Sequence, residues 1–345
     1  MIDAGCLPVA EDVAWIPIDD PSAHGRGRRT ATALAGQLGF SETRTAEIGL
    51  AITELGTNLH KHARNGVLVV RAVRGATQSA VEVVAVDSGP GIANLAEAWE
   101  DGRSSAGTLG VGLGAVSRLA DACEVQSEVG TGTVITARFH PARGPLVELP
   151  VDVVAGLTRP ISGEDVCGDA YAVRRAAGGR IRLLMCDGSG HGPLAASASN
   201  AAVRVFCEIH PAGPEDIVGQ LHTSLRGTRG GAVAVADLDP ARGTVRFAGL
   251  GNIAAWVVSD GRKRGMVSVP GVAGYQAHTI RAFDHELPEG ASVVLHSDGL
   301  TDRWTAEGRD ALFRAGPLVV AAALLRDAGV RRDDAGVLVY GPRRS

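Results

Sequence analysis

Apolar positions along the chain switch between two periods. In SETRTAEIGLAITELGTNLHKHA, Ile48, Ile52, Leu55 and Leu59 recur at helical spacing, Ser41 can cap and Glu42 falls in the first turn. A helix is predicted there, and another from Ser22 to about Leu38. VAWIPI (Val13 to Ile18), VLVVRAV and AVEVVAVD read as strands. A helix from Val111 to Ala122 follows, then a hairpin, EVQSEVGTGTVITARF, turning at Gly130. Beyond this mixed α/β half the pattern is richer in strands. AYAVRRA and IRLLMCD form one predicted hairpin, and GAVAVADLD, TVRFAGLG, IAAWVVS, SVVLHSD and DAGVLVY are further strands. PLAASASNAAVRVFCEI and EDIVGQLHTSLR are helical in pattern. That layout predicts a β-sandwich flanked by helices.

HPARGPLVELP, from His140 to Pro150, interrupts the pattern with three prolines and a glycine and reads as a linker. The expected domains are therefore 13–140 and 151–342, joined by 141–150. The longest apolar stretch, Leu318 to Leu325, is too short to cross a bilayer, so no membrane association is expected.

Composition narrows this picture. The 345 residues carry 34 basic and 38 acidic side chains, a formal net charge of -4, and no long unopposed basic run. Nucleic-acid binding is not expected. The five cysteines form no CxxC pair, so neither a zinc site nor a disulfide framework is indicated and a reducing cytoplasm is the expected compartment.

Three motifs in the first half suit a nucleotide. In ELGTN, Glu54 and Asn58 lie four apart on one helical face, where the carboxylate can orient a nucleophile and the amide can ligate Mg²⁺. DSGPG follows a strand; Asp87 can accept from an adenine amino group while Gly89 and Gly91 allow close backbone approach. GTLGVGLG, Gly107 to Gly114, leads into a helix and can present backbone N–H groups to phosphates. It lacks the GK[ST] ending of a Walker A loop. Taken singly, each of the three is more often a turn or a solvated helix face.

In the second half, aspartates recur at apparent strand ends beside glycine: Asp169 in GEDVCGDAY, Asp187 in DGSGHG, Asp298 in HSDGLTD, and Asp333 with Asp334 in RRDDAGVLV. An oxygen-only set suits Mg²⁺ or Mn²⁺ rather than zinc.

The ordered set ELGTN, DSGPG, GVGLG, GTGT resembles the GHKL ATPases, and within them the small serine-protein kinases of bacterial partner-switching and anti-sigma systems. The resemblance implies an α/β sandwich that binds ATP with Mg²⁺. It implies Glu54 as general base, Asn58 as Mg²⁺ ligand, Asp87 as adenine contact, Gly110, Gly112 and Gly114 in the phosphate loop, and Thr133 near the adenine. GEDVCGDAY, DGSGHGPLAA, GLGN, HSDGLTD and RRDDAGVLVY resemble the SpoIIE-like branch of the PPM phosphatases. This implies an α-β-β-α sandwich with two Mn²⁺ or Mg²⁺ ions. Asp169, Asp187 and the Gly188 carbonyl would hold the pair, with Asp298 and Asp333 completing one ion and Asp333 preferred to Asp334. Such a pair lowers the pKa of a shared water for attack on phosphoserine or phosphothreonine. Two departures from the family pattern stand out: Ser189 where some members carry His, with His191 two residues on, and Gly336 where Thr or Ser is usual.

The expected function is a partner-switching protein that phosphorylates and dephosphorylates a STAS-type partner, with a homodimer among its open assemblies. The alternatives are a phosphatase gated by a non-catalytic ATP-binding domain, and an anti-sigma-type binding protein.

Overall fold

The computed structural model describes Cys6 and residues 10–74, 79–95, 113–143, 153–209, 213–330 and 332–341. The chain divides into two compact units, Ala10–Leu149 and a second made of Met1–Val9 with Pro150–Ser345.

The first unit is a five-stranded antiparallel sheet with helices against one face. Its elements run β1 (Glu11–Pro17), α1 (Ala23–Gln37), α2 (Glu42–His62), β2 (Val67–Arg74), β3 (Ser79–Val86), α3 (Leu113–Leu119), β4 (Ala122–Glu128) and β5 (Gly132–Phe139). The sheet order is β1-β2-β3-β5-β4. Ile48, Ile52, Leu55 and Leu59 are buried in one cluster with Leu68, Val70, Val83 and Ile135, so the periodic face of α2 meets alternate sheet positions. Ser41 caps α2 by accepting from Arg44 N. Ser22 does not cap α1 with its side chain; its hydroxyl donates to Asp20 instead. The turn after β4 passes through Gly130 at φ 84°, as the hairpin predicted.

The second unit stacks two five-stranded antiparallel sheets between helices. One has the order β15-β10-β9-β8-β7, built from β7 (Asp169–Arg175), β8 (Ile181–Gly188), β9 (Gly231–Asp239), β10 (Thr244–Leu250) and β15 (Phe283–Glu286). The other runs β12-β11-β16-β17-β6, from β6 (Val154–Arg159), β11 (Ala254–Ser259), β12 (Arg262–Met266), β16 (Ser292–His296) and β17 (Ala335–Tyr340). A two-stranded ribbon, β13 (Gly271–Val272) with β14 (Gln276–Ala277), stands apart. Helices α4 (Pro193–Glu208) and α5 (Pro214–Ser224) cover the first sheet, and α7 (Pro317–Ala328) covers β6 and β17 of the second; a short α6 (Asp310–Phe313) precedes α7. The apolar stretch Leu318 to Leu325 is the body of α7 and is buried all round. Among the described residues no helix is long and apolar enough to cross a membrane.

One expectation is overturned. Cys6 and Cys207 form a disulfide across 201 residues of sequence. Cys6 packs beside the cluster of Phe206, Ile209 and Leu221, which explains the pairing. Such a link leaves no local spacing signal.

Candidate nucleotide site and four-aspartate centre

Strand β3 ends at Val86 and delivers the buried Asp87. Its backbone N donates to Thr133 O at 3.0 Å, and its Oδ1 accepts from Gly89 N at 2.6 Å. Thr133 Oγ1 lies 2.9 Å from Ser127 Oγ, which accepts from Ile92 N at 2.8 Å. Glycine is required around this carboxylate. A Cβ on Gly132, at φ 132°, would collide with the Asp87 carbonyl, and one on Gly91, at φ 73°, with that of Glu128.

The C-terminal end of α2 lies against the loop that follows Asp87. The position of a Cβ on Gly89 is 3.1 Å from Ala63 Cα, and Ser88 N donates to Arg64 O at 2.9 Å. Asn58 lies one helical turn before His62, and Glu54 one turn before Asn58, both half-buried. Burial raises the Glu54 carboxyl above its ordinary range, against a smaller opposing pull from Lys61. The structure thus brings Asp87, Gly89, Gly91 and Thr133 together beside the C-terminal end of α2, with Asn58 and Glu54 one and two turns further back on that helix. Gly114 is a buried residue in the first turn of α3. Gly110 and Gly112 lie outside the described residues.

In the second unit Asp169 begins β7 and is the direct cross-strand partner of Asp187 on β8. Asp298 follows β16 and Asp333 precedes β17, neighbours in the facing sheet. Ser297 donates to Asp169 Oδ2 at 2.6 Å, whereas Asp169 Oδ1 is buried without a hydrogen-bond partner. Burial raises both Asp169 and Asp187 well above the usual carboxylate range. The other carboxylates of the group, Asp298 and Asp333 among them, push each further. Asp333 is raised by burial and then by Asp298.

These residues fit divalent cations. An orphaned buried carboxylate oxygen amid mutually repelling carboxylates is a site short of positive charge. No three such groups close into a finished cage among the described residues. An ion that keeps several waters needs only one or two carboxylates to bind it. Asp334 has a different job. Its Oδ1 accepts from Ile161 N at 2.7 Å and its Oδ2 from Gly168 N at 2.8 Å, so the buried carboxylate staples two loops together. Backbone crowding fixes Gly188, where a Cβ would strike the Ala195 carbonyl. A Cβ on Gly336 would meet the Met185 methyl and lie 3.1 Å from the Asp169 side chain.

Several neighbours support the centre through contacts that sequence spacing does not show. Asn252 Nδ2 donates to Asp298 Oδ2 at 2.7 Å. His191 Nδ1 pairs with Glu164 Oε1 at 2.9 Å. Lys263 sits 4.2 Å from the ring centres of both Trp256 and Trp304 and donates to Asp302 O at 2.6 Å. Asp302 Oδ1 in turn lies 3.2 Å from His296 Nε2, so the loop bearing Asp298 is clamped from outside.

Fold and sites together define a two-unit protein, a histidine-kinase-like ATPase unit followed by a SpoIIE-like two-sheet unit that carries the four aspartates. Residues 19–139 match the histidine kinase-like ATPase domain, and residues 177–339 match the stage II sporulation protein E domain. Over 137 residues, 40% of this chain, it is 36% identical to the serine/threonine-protein kinase RsbT of Bacillus subtilis (strain 168), spanning 96% of that protein. A chain of the bacterial stressosome, a modular system adapted to control secondary messenger signalling, is 32% identical with a TM-score of 0.50, over 54% of this chain and 97% of that one. RsbX in complex with magnesium is 17% identical with a TM-score of 0.47, over 54% and 92% respectively. The chain belongs to the family of RsbT-type serine/threonine-protein kinases through its first unit, with a SpoIIE-type phosphatase domain joined to it, the make-up of a partner-switching regulator.

Proposed function

We propose that this chain sets the phosphorylation state of a STAS-domain partner from both directions in the cytoplasm. The first unit transfers phosphate from ATP, with Mg²⁺ held by Asn58, to a serine or threonine. The second removes it with Mn²⁺ or Mg²⁺ held by Asp169, Asp187, the Gly188 carbonyl, Asp298 and Asp333. The domain limits proposed for these activities are 13–140 and 151–342. The observation that carries the reading is the four-aspartate centre, above all the buried, unpartnered Asp169 Oδ1.

In the first unit Glu54 would take the proton of the incoming hydroxyl, and burial, which raises its carboxyl, makes it a stronger base than an exposed glutamate. Asp87 would accept from the adenine amino group, and Thr133 and Ser127 would hold polar atoms beside it. In the second unit bound divalent ions would neutralise phosphoryl oxygens and lower the pKa of water. Ser297 holds Asp169 and Asn252 holds Asp298, so two of the carboxylates are oriented in advance.

The test uses the full chain with candidate STAS proteins, ATP and Mn²⁺, following partner phosphorylation by intact mass. Phosphorylation in one direction, and its reversal once ATP is removed, is expected. Reversal that persists in EDTA or in Asp187→Asn would refute the second half of the reading.

A further inference from the structure

The turn between α5 and β9 is pressed against the loop that leaves Asp187. Ser189 N donates to Gly230 O at 3.0 Å, and a Cβ on Gly231 would strike the Asp187 carbonyl. Arg229 is exposed on this turn. Its Nη1 lies 3.0 Å from where a Cβ on Gly190 would stand. Gly190 borders the centre on its other side, its carbonyl being 3.4 Å from the Cβ position of Gly168, the residue before Asp169. The guanidinium therefore stands beside the glycine loop that leaves Asp187 and touches Gly168, the residue before Asp169.

Arg229 makes no hydrogen bond or ion pair among the described residues, although other arginines here are held. Arg44 pairs with Glu47 and Asp121, Arg182 with Asp237, and Arg246 with Glu215. Arg159, which leads from β6 toward the centre, is committed to the Val330 carbonyl at 2.6 Å. The backbone beneath Arg229 is fixed. Tyr275 donates its hydroxyl to Thr228 O at 3.0 Å and its ring covers Gly230. A phosphate dianion approaching four aspartates meets repulsion, and a permanently charged planar fork is suited to offset it bidentately.

We propose that Arg229 binds the phosphate of the phosphoserine or phosphothreonine substrate and seats it at the four-aspartate centre. The proposal rests on the phosphatase reading and adds the residue that holds the substrate anion.

The test compares wild type, Arg229→Ala and Arg229→Lys in the full chain with Mn²⁺. Two readouts are taken: kcat and KM with p-nitrophenyl phosphate and a phosphoserine peptide, and inorganic phosphate binding by calorimetry. Arg229→Ala should raise KM roughly tenfold or more and weaken phosphate binding by a similar factor. Its kcat should stay within about threefold of wild type. Arg229→Lys should recover part of both, since charge returns without the fork. Unchanged KM and phosphate affinity in the Ala variant would overturn the proposal, as would a loss confined to kcat. Wild type that binds phosphate through Arg229 yet hydrolyses neither ester would support the anion site while refuting the phosphatase reading. Equal melting temperatures for the three proteins will show that the exposed substitution leaves the fold intact.

Discussion

Ser297 Oγ donates to Asp169 Oδ2 at 2.6 Å and accepts from Gly336 N at 2.9 Å, so one hydroxyl ties strands of both sheets to a central carboxylate. Ser297→Ala leaves a buried N–H and a buried carboxylate each short of a partner, at a cost of about 1–3 kcal/mol apiece. Hydrolysis should fall and the Mn²⁺ concentration for half activity should rise, because Asp169 loses its fixed orientation. A Mn²⁺ titration of activity beside a urea melt checks both. An unchanged half-activity concentration would remove the orienting role.

The raised carboxyls of Asp169 and Asp187 predict an inverted pH dependence in chelator. In the unfolded chain these groups lose their protons near 3.8, while in the folded protein they keep them to a higher pH. The folded state then binds more protons, so stability is lost as pH rises above about 4 toward the raised folded values. Divalent cations compete with those protons, so the stabilisation by Mn²⁺ should grow over the same range. Thermal melts of the protein in EDTA and in Mn²⁺ from mildly acidic to mildly basic pH measure both slopes. Asp187→Asn should flatten the EDTA curve.

Glu54 separates the two activities. Glu54→Gln should keep ATP binding and lose partner phosphorylation by on the order of 100-fold or more. Phosphate removal should continue, since its carboxylates lie in the other unit. Phosphatase loss in this variant would favour the reading in which the first unit gates the second. In wild type, transfer should decline on acidification at a pH above that of an ordinary glutamate, as burial raises this carboxyl.

Gly132→Ala tests the proposed nucleotide site through its backbone. Alanine at φ 132° is strained and its Cβ would strike the Asp87 carbonyl. About 1–3 kcal/mol of stability should be lost, and ATP affinity should fall with the displaced Asp87. Calorimetry with ATP and Mg²⁺ decides, and an intact affinity would place the adenine elsewhere.

Reduction should act on the second unit. Opening the Cys6–Cys207 link removes about 2–4 kcal/mol, so dithiothreitol should lower the melting temperature of wild type and leave Cys6→Ser unmoved. Peptide mapping without reductant should recover the joined pair.

The helix over α2 was legible because its apolar face repeats against a polar one, and Ser41 marks its start. Helix α7 was not, because a segment buried on every side carries no periodic contrast. The edge strands β12 and β15, largely exposed, likewise offer little alternation. The four aspartates stood out because each flanks a strand beside glycine. The contacts of their supports did not, although Asn252, Ser297 and Asp334 lie in the same motifs. Asn252 reaches Asp298 across 46 residues, Ser297 reaches Asp169 across 128, and Asp334 reaches Ile161 across 173, separations that only the folded sheets bring together. Asp333 and Asp334 are adjacent in sequence, and their different surroundings appear only when the backbone donors Ile161 and Gly168 are in place.

The division of the chain places Met1–Val9 with Pro150–Ser345 and leaves Ala10–Leu149 between them. In topological terms the ATPase unit is a guest inserted into its phosphatase host, entered and left from the same body. A gene fragment beginning at Pro150 would therefore lack the segment that carries Cys6 and leave Cys207 unpaired. Within one chain the two units are made in a fixed one-to-one dose. If both act on one partner as proposed, gene expression cannot tilt that ratio, and a shift between the two activities would come from what occupies each site.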